Sequence, residues 1–184
     1  RAHALAELRT QMRDDAGLRR ALELGRARCP EDTDLFQQLA GYYNNHELWS
    51  ELVALWVAQA ERLEDTERAG ELLRQAARIQ RDRLHDELGA AHSLRKAMEA
   101  SPGDLDALGE LTRSLVSAGD TAAARGAARD ALAADAQGAR PQLLQLRAEL
   151  ALSAGDEAAA VRDMEEALTL GATEVLPALT QALA

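Results

Sequence analysis

Apolar residues recur along the chain at i, i+3 and i+7. That spacing puts three side chains on one face of an α-helix, which turns about 100° per residue. The set appears as Leu5, Leu8, Met12, then Phe36, Leu39, Tyr43, then Leu108, Leu111, Leu115. It returns as Leu143, Leu146, Leu150 and as Leu176, Leu179, Leu183. Leu72, Gln75 and Ile79 fill the same register with one polar lapse. Successive sets begin 31, 36, 36, 35 and 33 residues apart. A near-constant period in this range marks stacked helical hairpins, each burying its apolar face against the next.

A breaker and a second helix follow each set. The breakers are Asp14-Asp15, Asn44-Asn45-His46, His85-Asp86, Gly119-Asp120 and Gly155-Asp156. Gly or Asn suits the left-handed residue that ends a helix, and Asp suits the cap that starts the next. The second helices return apolar faces such as Leu52 and Trp56, Ala90, Leu94 and Ala97, or Ala160, Met164 and Ala167. The pattern predicts helices over 2–13, 16–28, 32–44, 47–63, 66–84, 87–100, 104–118, 121–134, 141–154, 157–170 and 173–184, those over 47–63 and 66–84 being the longest. It groups them into units of about 1–30, 32–64, 65–102, 104–138 and 140–171, with an unpaired terminal helix over 173–184.

Composition narrows this to thin, helix-only layers. Aromatics are 3% of the 184 residues, while Ala and Leu dominate, so no thick aromatic core is available. The net charge of −10 is uneven, with residues 1–30 carrying +3 and the rest −13. An acidic solenoid is a poor ligand for phosphate backbones or anionic lipid, so neither nucleic-acid binding nor membrane insertion is expected. Cys29 is the lone cysteine, which excludes an internal disulfide and a cysteine zinc site. Among basic residues there are 20 Arg and one Lys, which with the Ala richness suggests a GC-rich bacterial genome. The chain begins with Arg1 rather than Met, so it reads as a piece of a longer array. A cytoplasmic location is expected.

These residues resemble the tetratricopeptide repeat (TPR) family. The likeness rests on Phe36, Leu39-Ala40 and Tyr43 with Leu52 and Trp56, on Leu105 through Gly138, and on Ala90, Leu94 and Ala97 ahead of Ser101-Pro102. Gln59, Gln75 and Ala128 depart from it, where the family has small, apolar or aromatic residues. The resemblance implies an all-α, right-handed α-solenoid of about five helical hairpins plus a C-terminal helix. It also implies a protein-protein interaction scaffold whose concave groove, lined by first helices, binds a partner protein or peptide.

Candidate groove residues are then Gln37, Asn44, Leu73, Arg74, Arg81, Glu110, Arg113 and Leu144. They lack the Lys-and-Asn set of TPR proteins that clamp a terminal carboxylate. Arg74, Arg81 and Arg113 stand out in an acidic chain and point to an acidic or amphipathic partner, since Arg holds carboxylates bidentately. Against this, the same Arg could simply pair with Glu71, Asp82 and Glu110, and Leu73 and Leu144 could merely pack against neighbouring helices. Trp49 is either a staple at the start of its helix or an exposed anchor of the kind favoured in binding hot spots. No catalytic set, metal site or cofactor motif is identified. His85 and His92 lack a third ligand, and Glu165-Glu166 reads as a solvated face. A second class of function is a spacer or self-assembly module in a larger protein. It is motivated by self-association through the uncovered apolar face of 173–184.

Overall fold

The computed structural model describes residues 15–101, 103–134 and 138–182. Among them run ten α-helices: α1 (Asp15–Arg28), α2 (Thr33–Asn45), α3 (Trp49–Ala60), α4 (Thr66–Asp82), α5 (Glu87–Ala100), α6 (Leu105–Ser117), α7 (Thr121–Ala133), α8 (Arg140–Ser153), α9 (Glu157–Thr169) and α10 (Leu176–Ala182). A 3-10 turn, Thr173–Val175, precedes α10, and no strand occurs among the described residues. The helix expected over 2–13, with Leu5, Leu8 and Met12, lies outside them, as does Leu183.

Helix starts are written in aspartate. Asp32, Asp65, Asp86, Asp104, Asp120 and Asp156 each accept the backbone N–H three residues on, at 2.8 to 3.2 Å. Each such cap satisfies a donor the helix cannot, a contribution of roughly 0.5–2 kcal/mol. The start of α8 differs: Ala139 offers no side-chain cap, and Pro141 sits in its first turn, where its missing N–H costs nothing. Left-handed residues close the hairpin turns at Gly119 and Gly155, but at Glu47 and His85 in the two earlier ones. The expected turn residues Asn44 and Asn45 stay within the last turn of α2.

The helix expected over 47–63 is shorter. It covers 12 residues, because Arg62 and Leu63 donate to Gln59 and Ala60, three residues back, and Asp65 then opens α4. Helix α4 is the longest at 17 residues, as expected.

The chain divides into two compact units, residues 1–58 and 59–184. In the first, Leu22, Leu35, Leu39, Tyr43 and Leu52 form the buried cluster, with Trp49 and Trp56 half-buried against it. Leu35 takes the inner place expected of Phe36, whose ring lies beneath the Arg26 guanidinium at 5.5 Å. The Tyr43 hydroxyl donates to Glu23 at 3.0 Å, and Arg19 holds the same carboxylate at 2.7 Å.

Burial, then the bond to Glu23, pushes the Tyr43 phenol from 10.0 up to about 12. Between those values an unfolded chain releases this proton and the folded chain keeps it. Stability is therefore full below pH 10 and falls as pH rises toward about 12. Urea midpoints across that window should show the fall, and Tyr43→Phe should flatten it. An equal alkaline loss in the variant would assign the effect elsewhere.

In the second unit α4 to α9 pack as hairpin pairs through alanines that let backbones approach. Ala77, Ala90, Ala91, Leu94, Leu111, Leu115, Ala124 and Ala128 form one cluster. Leu108, Leu143, Leu144, Ala148, Ala160, Met164 and Ala167 belong to the next. The face of α4 differs from expectation. Ala69, Gly70, Leu73, Ala76 and Ala77 are buried, while Leu72 and Ile79 are half-buried and Gln75 is exposed. The inner stripe is turned one residue on. It ends at Gln80, whose amide oxygen accepts the hydroxyl of buried Ser93 at 2.7 Å. By spacing, Gln80 stands where α6 has Leu115. A side chain at Gly89 would meet the ends of both Gln80 and the capping Asp86, so a larger residue there requires these two side chains to move.

Candidate partner-binding site

The candidate groove residues separate by unit. On α2, Gln37 and Asn44 are exposed, and Trp49 at the start of α3 is half-buried against the Leu22–Tyr43 cluster. The packed staple describes Trp49 better than the free anchor does.

In the second unit, Leu73 and Leu144 take the packing alternative and lie in the core. They are 4% and 0% exposed, so neither offers apolar contact to a partner. Leu73 is inward because of the turned register of α4. Leu144 is inward because α8 lies between α7 and α9 and buries Leu143, Leu144, Ala148, Leu150 and Ala151, on more than one side.

The arginines are mostly engaged. Arg74 meets Asp104 at 3.0 Å. Glu110 lies between two cations, with Arg78 at 3.3 Å and Arg81 at 4.0 Å, and Arg81 also meets Asp82 at 3.0 Å. The Arg81 Nη1 and Glu110 Oε2 atoms facing each other are buried without a hydrogen bond, so that contact is coulombic only. Arg113 is different: it is exposed on α6 and makes no ion pair among the described residues. First helices α4 and α6 therefore present a lattice of neutralised pairs, with Arg78 and Arg113 reaching solvent.

Two features escaped the sequence reading. One is a bidentate pair across a hairpin. Arg147 Nε and Nη2 donate to the two oxygens of Asp163 at 2.7 and 2.6 Å, and Asp163 is 7% exposed. Hydrogen bonding to Asp163 raises the Arg147 guanidinium above its ordinary value. The other is a cleft of about 810 Å³ between α7 and α9, floored in part by α8, that gathers Arg125, Arg129, Arg147 and Arg162. The i, i+4 spacing of Arg125 and Arg129 was legible, but second helices read as return faces only. A second cavity of about 520 Å³, largely apolar, lies among Met98, Leu105, Leu108, Leu111, Ala131 and Leu143.

At the C-terminal end Leu176 is exposed, while Val175 and Leu179 are buried. Among the described residues the uncovered apolar edge there consists of Leu170 and Leu176. Among the described residues no group of three His, Cys, Asp or Glu could hold a metal ion. No helix among them is long and apolar enough to cross a membrane.

No family model matches the chain, and no curated protein does. Solved structures do. A thermophilic TPR protein of Thermus thermophilus is 17% identical with a TM-score of 0.52, covering 100% of this chain and 99% of that one. A putative kinesin light chain of Podosopora anserina, with nearly identical TPR-like repeats, is 17% identical with a TM-score of 0.54 and 94% coverage of each chain. YrrB, a TPR protein with an unusual peptide-binding site, is 14% identical with a TM-score of 0.51, covering 97% of this chain and 86% of its own. Leucine stripes, aspartate caps and alanine-lined hairpins thus assemble into the fold of the tetratricopeptide repeat proteins.

Proposed function

We propose that this chain is a protein-interaction scaffold whose first-helix face on α4 and α6 engages an acidic or mixed-charge segment of a partner. The observation that supports it best is Arg113. It is an exposed cation without an ion pair among the described residues, beside a lattice in which Glu110 is already held by Arg78 and Arg81. A guest carboxylate meets Arg113, and Arg78 at the exposed end of its pair, without first breaking a buried contact. Small residues add access: Gly109 has no heavy atom within 4 Å of where a Cβ would stand. YrrB, which shares the fold, is described as carrying a peptide-binding site. Apolar contact no longer comes from Leu73 and Leu144, so recognition on this face is chiefly polar.

The test is a pull-down from extract with mass spectrometry, followed by titration of the recovered partner. Arg78→Glu with Arg113→Glu should weaken binding about tenfold or more while leaving the helical circular dichroism unchanged. Unchanged affinity would remove the first-helix face from the interface. Light scattering across concentrations reads self-association through Leu170 and Leu176 separately, as a mass that rises with concentration.

A further inference from the structure

We infer that the cleft between α7 and α9 is a second docking site, which takes an aspartate- or glutamate-rich segment of a partner protein. The inference rests on reading the chain as an interaction scaffold, but it places contacts on second helices rather than first ones. In a chain of net charge −10, four arginines line one cleft of about 810 Å³, against two acids, Asp163 and Glu166. That volume lies within the roughly 300–1,000 Å³ of ligand clefts.

Both acids have partners, Asp163 in a nearly buried pair and Glu166 in an exposed one. Asp163 is held by both arms of Arg147, and Glu166 is taken by Arg140 at 2.6 Å from outside the lining. The cations are freer. Arg162 is exposed and makes no ion pair among the described residues. Among the described residues Arg129 pairs with its exposed neighbour Asp130, and Arg125 with Asp156, which also caps α9. Exposed pairs of this kind are weak and exchange readily for a better-placed carboxylate. At physiological salt the acidic remainder of the chain is screened beyond about 8 Å, so the local cluster sets the sign felt by a guest.

The floor suits a polypeptide. Ala122, Gly126, Ala151 and Ala159 keep it low, and no heavy atom lies within 4 Å of where a Gly126 Cβ would stand. Glycine in a helix interior is disfavoured relative to alanine, and no close packing within this chain requires it there. Its effect is to leave room for a guest backbone between Arg125 and Arg129 on α7 and Arg162 on α9. Cations spread over three helices match carboxylates spaced along a segment better than one compact anion.

The experiment measures fluorescence anisotropy of a labelled deca-glutamate peptide with the full chain at low and physiological salt. The parent should bind, more weakly as salt rises. Arg129→Glu with Arg162→Glu should weaken binding about tenfold or more, and Gly126→Leu should weaken it severalfold without changing charge. Circular dichroism should stay helical in each variant. Arg20→Glu with Arg28→Glu, the same change of charge at exposed positions of α1 outside both proposed sites, should leave peptide binding unchanged. Absence of parent binding at low salt overturns the inference. So does parental affinity in the cleft variants, or tighter binding of an oligothymidylate of equal charge. Loss caused only by the Arg78 and Arg113 pair overturns the cleft while leaving the scaffold reading standing.

Discussion

Leu111→Ala is expected to destabilise the second unit by roughly 2–5 kcal/mol, the range for emptying a buried leucine site. Leu111 is 2% exposed and packs among Leu94, Leu115, Ala124 and Ala128. Its alanine neighbours have no rotamers with which to fill a gap, and the helices are already close. Leu111 also lines the largely apolar 520 Å³ cleft, so the space left by its removal has few apolar atoms on that side to fill it. Both facts place the loss in the upper part of the range. Repeat stability is approximately a sum over neighbours, so the damage should concentrate in α6 and α7. Urea denaturation gives the size and hydrogen exchange gives the place. Exchange in residues 105–133 no faster than in the parent would contradict the packing described.

Arg147→Leu is expected to cost roughly 3 kcal/mol, at the low end for breaking a buried ion pair by removing one partner. Two short charge-assisted bonds disappear, and the Asp163 carboxylate is left nearly inaccessible to water. The loss is not greater because the Arg147 side chain is itself 31% exposed, so some solvent reaches the site. Adding Asp163→Leu should restore most of the stability, since an apolar pair of similar volume replaces a buried ionic one without a desolvation penalty. A double-mutant cycle by thermal or urea unfolding measures the coupling. Additive losses would mean that the two side chains do not depend on each other.

The register of helices and caps was legible because its signals are local. An aspartate three residues before a donor, or a glycine after the last leucine, acts within one turn. The faces were legible only where the pattern is unambiguous, as in Leu108, Leu111 and Leu115. In α4 the doublets Leu72-Leu73 and Ala76-Ala77 satisfy two registers one residue apart, and only contact with α5 selects between them. Leu143-Leu144 in α8 posed the same ambiguity, and there burial on more than one side makes both inward. The groove assignment suffered directly, because Leu73 and Leu144 were placed by that register. The partners of Arg147 and of the Arg125–Arg162 cleft lie on other helices. No spacing within one helix identifies Asp163 as the acid that an arginine 16 residues earlier will hold.

The half-buried Gln80–Ser93 bond bears on a hazard peculiar to repetitive chains. Successive hairpins here share one apolar spacing, so a helix can nest against the wrong neighbour with part of its apolar contact kept, and misassembly is a characteristic failure of repeat proteins. Leucines and alanines do not discriminate between such partners. A glutamine and a serine do. Slipped by a turn, or seated on another hairpin, each would be left in an apolar layer with no hydrogen-bond partner. The pair therefore works as a key to its own hairpin, as Arg147–Asp163 does for α8 and α9. Replacing both with apolar residues should make the α4–α5 hairpin easier to stabilise and, during refolding at high concentration, easier to exchange between molecules.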